Sequence, residues 1–154
     1  MSDGWTLRPA TPADFAAWGA LRARLWDDSA DIVAEHDDMR TAIDPARPAT
    51  TFLAVDHDGR PFGFIEVAIR HDYVNGSESS PVGFIEGWYV EDGWQGRGIG
   101  RALVDAAAAW TRARGRDELC SDAMLDADES HAAHRACGFE ETERVVYFRK
   151  PVTG

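Results

Sequence analysis

Three glycines in six positions, Gln95-Gly96-Arg97-Gly98-Ile99-Gly100, constrain this chain more than any other stretch. They follow an apolar run of strand character, Phe84 to Val90, and precede a helical run from Arg101 to Arg114. A strand that passes into a helix through glycines leaves main-chain N–H groups bare at the helix N-terminus, where the helix dipole favours negative charge. Such a turn is an anion site. The anion expected there is a pyrophosphate, which implies a nucleotide-like cofactor. The plainer alternative is a glycine-rich turn that only joins strand to helix. A P-loop does not fit, because no Gly-Lys-Ser/Thr follows the glycines. A Rossmann fingerprint does not fit either: Arg101 stands where its third glycine belongs, and the motif lies mid-chain rather than in a first βαβ unit.

The rest of the chain sets the frame for that turn. A length of 154 residues with 44% hydrophobic content is expected to make one domain, residues 1–154, with a real core. No apolar run approaches the ~20 residues of a membrane span. Met1-Ser2-Asp3-Gly4 has neither a basic segment nor an apolar one, so no signal peptide is expected. The two cysteines, Cys120 and Cys137, are too few for a disulfide framework and read as reduced core thiols of a cytoplasmic protein. A net charge of −11 makes nucleic acid a poor partner and favours a cationic ligand, although solubility alone explains it equally well.

Periodicity and turn residues predict the elements. Trp5 to Arg8 alternates as a short strand. Thr11-Pro12-Ala13-Asp14 marks a helix start, with Thr11 as cap and Asp14 reaching back. Phe15, Trp18, Leu21 and Leu25 then fall on one stripe, with Trp26 off it. Residues 27–38 carry Asp27, Asp28, Asp31, Glu35, Asp37 and Asp38 beside Ile32, Val33 and Met39, and predict a second helix whose acidic side is solvated or attracts a polycation. Strands are expected at Thr50–Val55 and Pro61–Ile69 around an Asp-Gly hairpin turn, at Val82–Glu91, at Leu119–Ser121 and at Arg144–Arg149. Helices are expected from Arg101 to Arg114, stopped by Gly115, and from Glu129 to Cys137, stopped by Gly138. The order β-α-α-β-β-β-α-β-α-β is that of an α/β domain of the α+β type, antiparallel early and crossing over through helices late.

That order, together with the Gln-Gly-Arg-Gly-Ile-Gly turn, resembles the GNAT family of N-acetyltransferases, whose glycine loop binds the pyrophosphate of acetyl-CoA. The likeness is closer still to the aminoglycoside 6′-N-acetyltransferases. It is carried by Leu21–Trp26, Ile69–Gly76, Ser80–Gly87, Leu119–Asp122 and Gly138–Phe148. The resemblance implies a mixed sheet of about six to seven strands flanked by about four helices. It implies acetyl transfer from acetyl-CoA to the 6′-amine of an aminoglycoside, in a homodimer, by direct attack of the amine on the thioester.

That chemistry asks for a held thioester, a neutral amine, a stabilised oxyanion and a proton for the leaving thiolate. Gln95, Gly96, Arg97, Gly98, Ile99 and Gly100 are expected to hold the pyrophosphate, and Trp88, Tyr89 and Val90 to pair their backbone with the pantetheine arm. The resemblance marks Trp26, Tyr73, Glu86, Asp122 and Glu143 for the cationic substrate. Glu86 stands in an apolar strand, where a lone carboxylate is costly unless paired or functional; its i±2 neighbours Phe84 and Trp88 are expected on its face. It also reads as an outward-facing glutamate. Asp122 ends a short strand and is the expected group to take or orient the amine proton; helix capping is its alternative. Glu143 also fits a solvated charge run, and Trp26 and Tyr73 fit core or rim packing.

Two positions depart from the family pattern. Ala127 replaces a common asparagine, and His134 stands where many members have a proton-donating tyrosine. His134, Tyr147 or solvent are the remaining acids. No metal is expected, since His131 and His134 lack a third ligand at convincing spacing. A Cys137–His134 nucleophile pair is discounted by the implied direct attack.

Overall fold

The structure, a computed structural model, describes residues 4–26 and 32–153. Its elements run β1 (Trp5–Pro9), α1 (Phe15–Trp26), α2 (Ile32–Ala42), β2 (Ala49–Asp56), β3 (Pro61–Arg70), β4 (Val82–Val90), α3 (Ile99–Ala113), β5 (Leu119–Cys120) and α4 (Asp128–Ala136). The expected order is met up to α4. Asp27, Asp28 and Asp31 of the expected acidic face lie outside the described residues. Among the described residues no helix is long and apolar enough to cross a membrane.

The strands lie in the order β1-β2-β3-β4-β5. The first four form an antiparallel meander, and β5 pairs parallel to β4 after the α3 crossover. The central strand β3 is buried along most of its length, as a strand covered on both faces must be. One face carries Ala54, Ile65, Val67 and Ile85 against Ile99, Leu103, Val104 and Ala107 of α3. The other carries Leu53, Val55 and Phe64 against Phe15, Trp18, Leu21 and Met39 of α1 and α2. Alternation along β2 thus feeds two cores.

The start of α1 follows the sequence closely. Asp14 accepts from the Thr11 N–H at 2.8 Å and from both Arg8 Nη atoms at 2.8 and 2.7 Å. A 3-10 turn at Pro12–Asp14 leads into the helix. Helix α3 begins two residues earlier than expected, at Ile99, so the last two positions of the glycine motif belong to its first turn.

Two expectations change. The sheet of the described residues has five strands, fewer than the six to seven implied. The stretch 144–149, expected as a strand, runs without a ladder partner and leaves Val146, Tyr147 and Phe148 67%, 82% and 91% exposed. Strand propensity without an actual ladder partner makes no strand. The second change is local: the β3–β4 register shifts between Glu66, paired with Gly87, and Val67, paired with Ile85. Glu86 is the extra residue of a β-bulge, which turns β4 over. Ile85 and Trp88 therefore both pack on the α3 side, and Trp88 does not share the face of Glu86 as period-two alternation predicts.

Candidate active site

The glycine turn carries no side-chain cap. Gly98 is the N-cap of α3 with φ +82°, and Gly96 has φ +80°, both in the left-handed region natural to glycine. A Cβ at either would meet no atom within 4 Å, so the surface above the turn is open. The first N–H of α3 bonded inside the helix is that of Ala102, to the Gly98 carbonyl at 3.0 Å. The N–H groups of Ile99, Gly100 and Arg101 precede it and form the anion-facing end. The side chain of Ile99 is buried in the α3 core, which leaves its main chain for any ligand. Gln95 donates to the Val90 carbonyl at 3.0 Å and ties the turn to the end of β4. Arg97 lies over the Trp94 ring, 4.8 Å from its centroid.

Beside this turn, β4 has a free edge. It pairs with β5 only at Gly83 and Phe84, so residues 85–90 have no strand on that side among the described residues. Trp88, Tyr89 and Val90 are half-buried there. The indole Nε1 of Trp88 is buried without a hydrogen-bond partner, and a Cβ at Gly100 would sit 3.7 Å from it. An open strand edge, an unpartnered donor and a glycine-lined helix end fit an extended ligand with a diphosphate group.

The carboxylates gather on the other side of β4. Glu86 accepts from Arg70 Nε at 2.9 Å and Nη2 at 2.7 Å. The Arg70 guanidinium lies 3.6 Å from the centroid of Phe84. Its bonds to Glu86, with added attraction from Asp122 and Tyr147, hold it protonated beyond the ordinary arginine range. Arg70 and Glu86 thus form a two-pronged ion pair over Phe84. Trp26 rests on Gly87, where a Cβ would strike the indole at 2.6 Å, so it stands next to Glu86 along β4. Tyr73 is 71% exposed on the loop after β3. Thr142 fills the space over Gly76 of that loop, which carries the neighbouring Glu143 to the loop as well. Of the expected substrate residues, Glu86 lies at the bulge in the middle of β4 with Trp26 over the adjacent Gly87, Asp122 follows β5, and Tyr73 and Glu143 lie on segments that meet where Thr142 covers Gly76.

A second charged group has no forerunner in the sequence reading. Glu66, buried in β3, accepts from Arg22 Nη1 at 2.6 and 2.5 Å and from Trp18 Nε1 at 3.1 Å. Burial pushes its carboxyl up, and the Arg22 guanidinium opposes that. Arg22 also donates to Glu35 at 2.6 Å. A cleft of about 540 Å³ between α1 and α2 is lined by Trp26, Glu35, His36 and Asp38. A smaller one of about 220 Å³ shares Arg22 and Asp38 and continues to Glu86.

His134 Nδ1 lies 2.7 Å from the Ser130 carbonyl, which only accepts, so Nδ1 carries the proton. Nε2 then accepts from the Ser121 hydroxyl at 2.8 Å. The ring sits edge-on to Trp88, centroids 5.2 Å apart. Both nitrogens are engaged by serines, and burial pushes the Cys137 thiol up, so no Cys–His nucleophile is assembled. Ser121 is a polar neighbour that motif spacing does not reveal.

A strand end with an open edge, a glycine turn capping a helix and a carboxylate cluster across the strand define an acyltransferase-type site. The model of the acetyltransferase (GNAT) family matches residues 17–139. An aminoglycoside N(6′)-acetyltransferase type 1 of Stenotrophomonas maltophilia is 58% identical over 96% of this chain and 94% of its own length. The crystal structure of the aminoglycoside 6′-N-acetyltransferase AAC(6′)-Ih from Acinetobacter baumannii superposes with TM-score 0.90 and 37% identity, covering 97% of this chain and all of that one (100%). That of AAC(6′)-Iy in complex with the bisubstrate analogue CoA-S-monomethyl-acetylneamine superposes with TM-score 0.88 and 36% identity, over 96% and 99% of the two chains. The chain belongs to the GNAT acetyltransferase family, in the branch of the aminoglycoside N(6′)-acetyltransferases.

Proposed function

We propose that this protein transfers the acetyl group of acetyl-CoA to the 6′-amine of aminoglycosides, and so confers resistance to them as a cytoplasmic enzyme. The observation that supports the reading is the Glu86 carboxylate, held by Arg70 on the strand whose edge stays open beyond Phe84. A polyammonium substrate matches that carboxylate in charge.

Acetyl-CoA supplies the thioester that the amine attacks. The N–H groups of Ile99, Gly100 and Arg101 hold its pyrophosphate, and the edge at Trp88–Val90 receives its pantetheine arm. A main-chain N–H of that edge would polarise the thioester carbonyl, where charge develops during attack. Glu86, Glu143 and Asp122 bind ammonium groups, and Trp26 and Tyr73 cover sugar faces. Asp122 orients the reacting amine and takes its proton, directly or through water, and as the C–S bond breaks the CoA thiolate would leave and take a proton from His134, Tyr147 or solvent. For Asp122, orientation of the amine by charge is the larger part of its role.

The protein acts as a homodimer. Among the described residues, no backbone hydrogen bond ties residues 140–153 to the rest of the chain, while Val146, Tyr147 and Phe148 are exposed. An unpaired strand-forming segment is a template for another chain.

The reading is tested with purified protein and acetyl-CoA, following thiol release against kanamycin, tobramycin, spermidine and a peptide amine, with the acetylated nitrogen mapped by NMR. Release with the aminoglycosides and acetyl at N6′ is expected. Release only with the other amines would move the protein to a different amine acetyltransferase, and none despite acetyl-CoA binding would make it a binding module.

A further inference from the structure

Arg70 ends β3 opposite Val82, and its side chain runs back over Phe84 to Glu86. The pair is a two-pronged one, its two bonds 2.9 and 2.7 Å long. Bracing the sheet does not call for it, because β3 and β4 are already joined from Gly63–Val90 to Arg70–Val82. Both side chains face solvent, 43% and 36% exposed, where an ion pair contributes little to stability. Yet this cation of the chain itself occupies the carboxylate assigned above to the substrate, its guanidinium resting on the Phe84 ring. Arg70 leaves lone pairs on both oxygens of Glu86, but a substrate ammonium there would stand against its guanidinium, so the two cations compete for one negative charge.

We propose that Arg70 is a specificity-determining residue that holds Glu86 as a tethered stand-in for the substrate ammonium, so that only a polycationic amine displaces it. The proposal rests on the reading of Glu86 as part of the acceptor site. A tethered cation competes at an effective concentration of about millimolar or above. A monoamine exchanges one cation for another at Glu86 and gains nothing against that tether. A ligand with several ammonium groups also meets Asp122, Asp38 and Glu143, and the additional attraction drives the exchange. The exposure of the pair keeps the exchange reversible, and the Phe84 ring remains as a resting place for the displaced guanidinium.

The test compares wild type, Arg70→Gln, Arg70→Lys and Glu86→Gln by thiol release with tobramycin and with benzylamine, alongside the melting temperature of each and tobramycin affinity by calorimetry. Arg70→Gln is expected to lower the tobramycin KM and Kd about three- to tenfold and to raise kcat/KM for benzylamine by at least as much. Arg70→Lys, which keeps the charge and loses the fork, falls between. Glu86→Gln raises the tobramycin KM. If Arg70→Gln instead raises KM as Glu86→Gln does, or leaves both amines unchanged, Arg70 only positions Glu86 and the proposal falls while the acceptor site stands. If Glu86→Gln leaves the tobramycin KM unchanged, the acceptor-site reading fails and takes the proposal with it.

Discussion

Neighbouring strands place two glutamates in apolar surroundings, and each solves the problem of a carboxylate there in its own way. Glu66 is shut in with Arg22 and Trp18, all three buried. Removing its charge leaves Arg22 without its main buried partner, so Glu66→Gln is expected to destabilise the fold by about 3 kcal/mol in urea unfolding. Glu86 faces water with an exchangeable partner, so its loss is felt in binding rather than folding. Glu86→Gln and Asp122→Asn are each expected to lower aminoglycoside kcat/KM about tenfold or more, as befits a charge-assisted hydrogen bond. The acetyl-CoA Kd, read by calorimetry, should stay within about twofold; an equal loss of cofactor affinity would remove both residues from the amine site. Glu86 is conspicuous in the sequence because a carboxylate interrupts an apolar strand. Glu66 interrupts an equally apolar strand, but its pairing with Arg22, 44 residues away, is made only by the fold. Arg70 is hidden for a different reason: an arginine at a strand end is ordinary until its partner is seen.

At the scale of elements, local chemistry was legible wherever a turn or cap needs a particular residue. The Thr11–Asp14 box, the hairpin at Gly59 and the helix stops at Gly115 and Gly138 all sit where the sequence places them, each of these glycines with positive φ. The bulge at Glu86 was not legible, since alternation assumes that no residue is skipped. The cap gives a pH prediction. Bonds from Arg8 first, and from the Thr11 N–H, hold the Asp14 carboxyl below the usual range. A carboxyl depressed in the folded state stabilises it above the unfolded pKa, about 3.9, and loses that contribution as pH falls through the lower folded value. Asp14→Ala should therefore cost about 1–2 kcal/mol at pH 7, discounted for the exposure of Arg8. The gap between wild type and variant should close in urea titrations carried below pH 4. The glycine turn gives a second test. Gly98 has room for a side chain and a left-handed φ, so Gly98→Val strains the backbone by about 1–2 kcal/mol without a clash inside the protein. Its valine would stand over the N–H groups of α3. Acetyl-CoA affinity should fall at least about tenfold with a melting point only a few degrees lower. A fall in stability with unchanged affinity would make the turn a connector.

The whole molecule differs most from its sequence reading after Phe139. Up to that residue the chain closes on itself: Phe139 packs against the α3 core and its N–H bonds the His134 carbonyl at 3.0 Å. Beyond it, Val145 to Phe148 have the composition of a strand but pair with no strand among the described residues. The residue types were legible, but whether the edge they need lies in the same chain is a property of the assembly. Burying such a segment in water favours pairing with a second copy. Glu143 and Tyr147 lie on the same segment, so the proposed dimer would link assembly to the proposed substrate site through it. Val146→Lys with Phe148→Lys places charge on the segment without touching those two residues. Wild type is expected to sediment as a dimer at micromolar concentration and the double variant as a monomer. The monomer should keep acetyl-CoA affinity, since the glycine turn and β4 edge are built within one chain, and lose aminoglycoside kcat/KM, since the arm no longer sits where pairing holds it. A monomeric wild type would overturn the dimer; a monomeric variant with full aminoglycoside activity would keep the dimer and release the arm from the site.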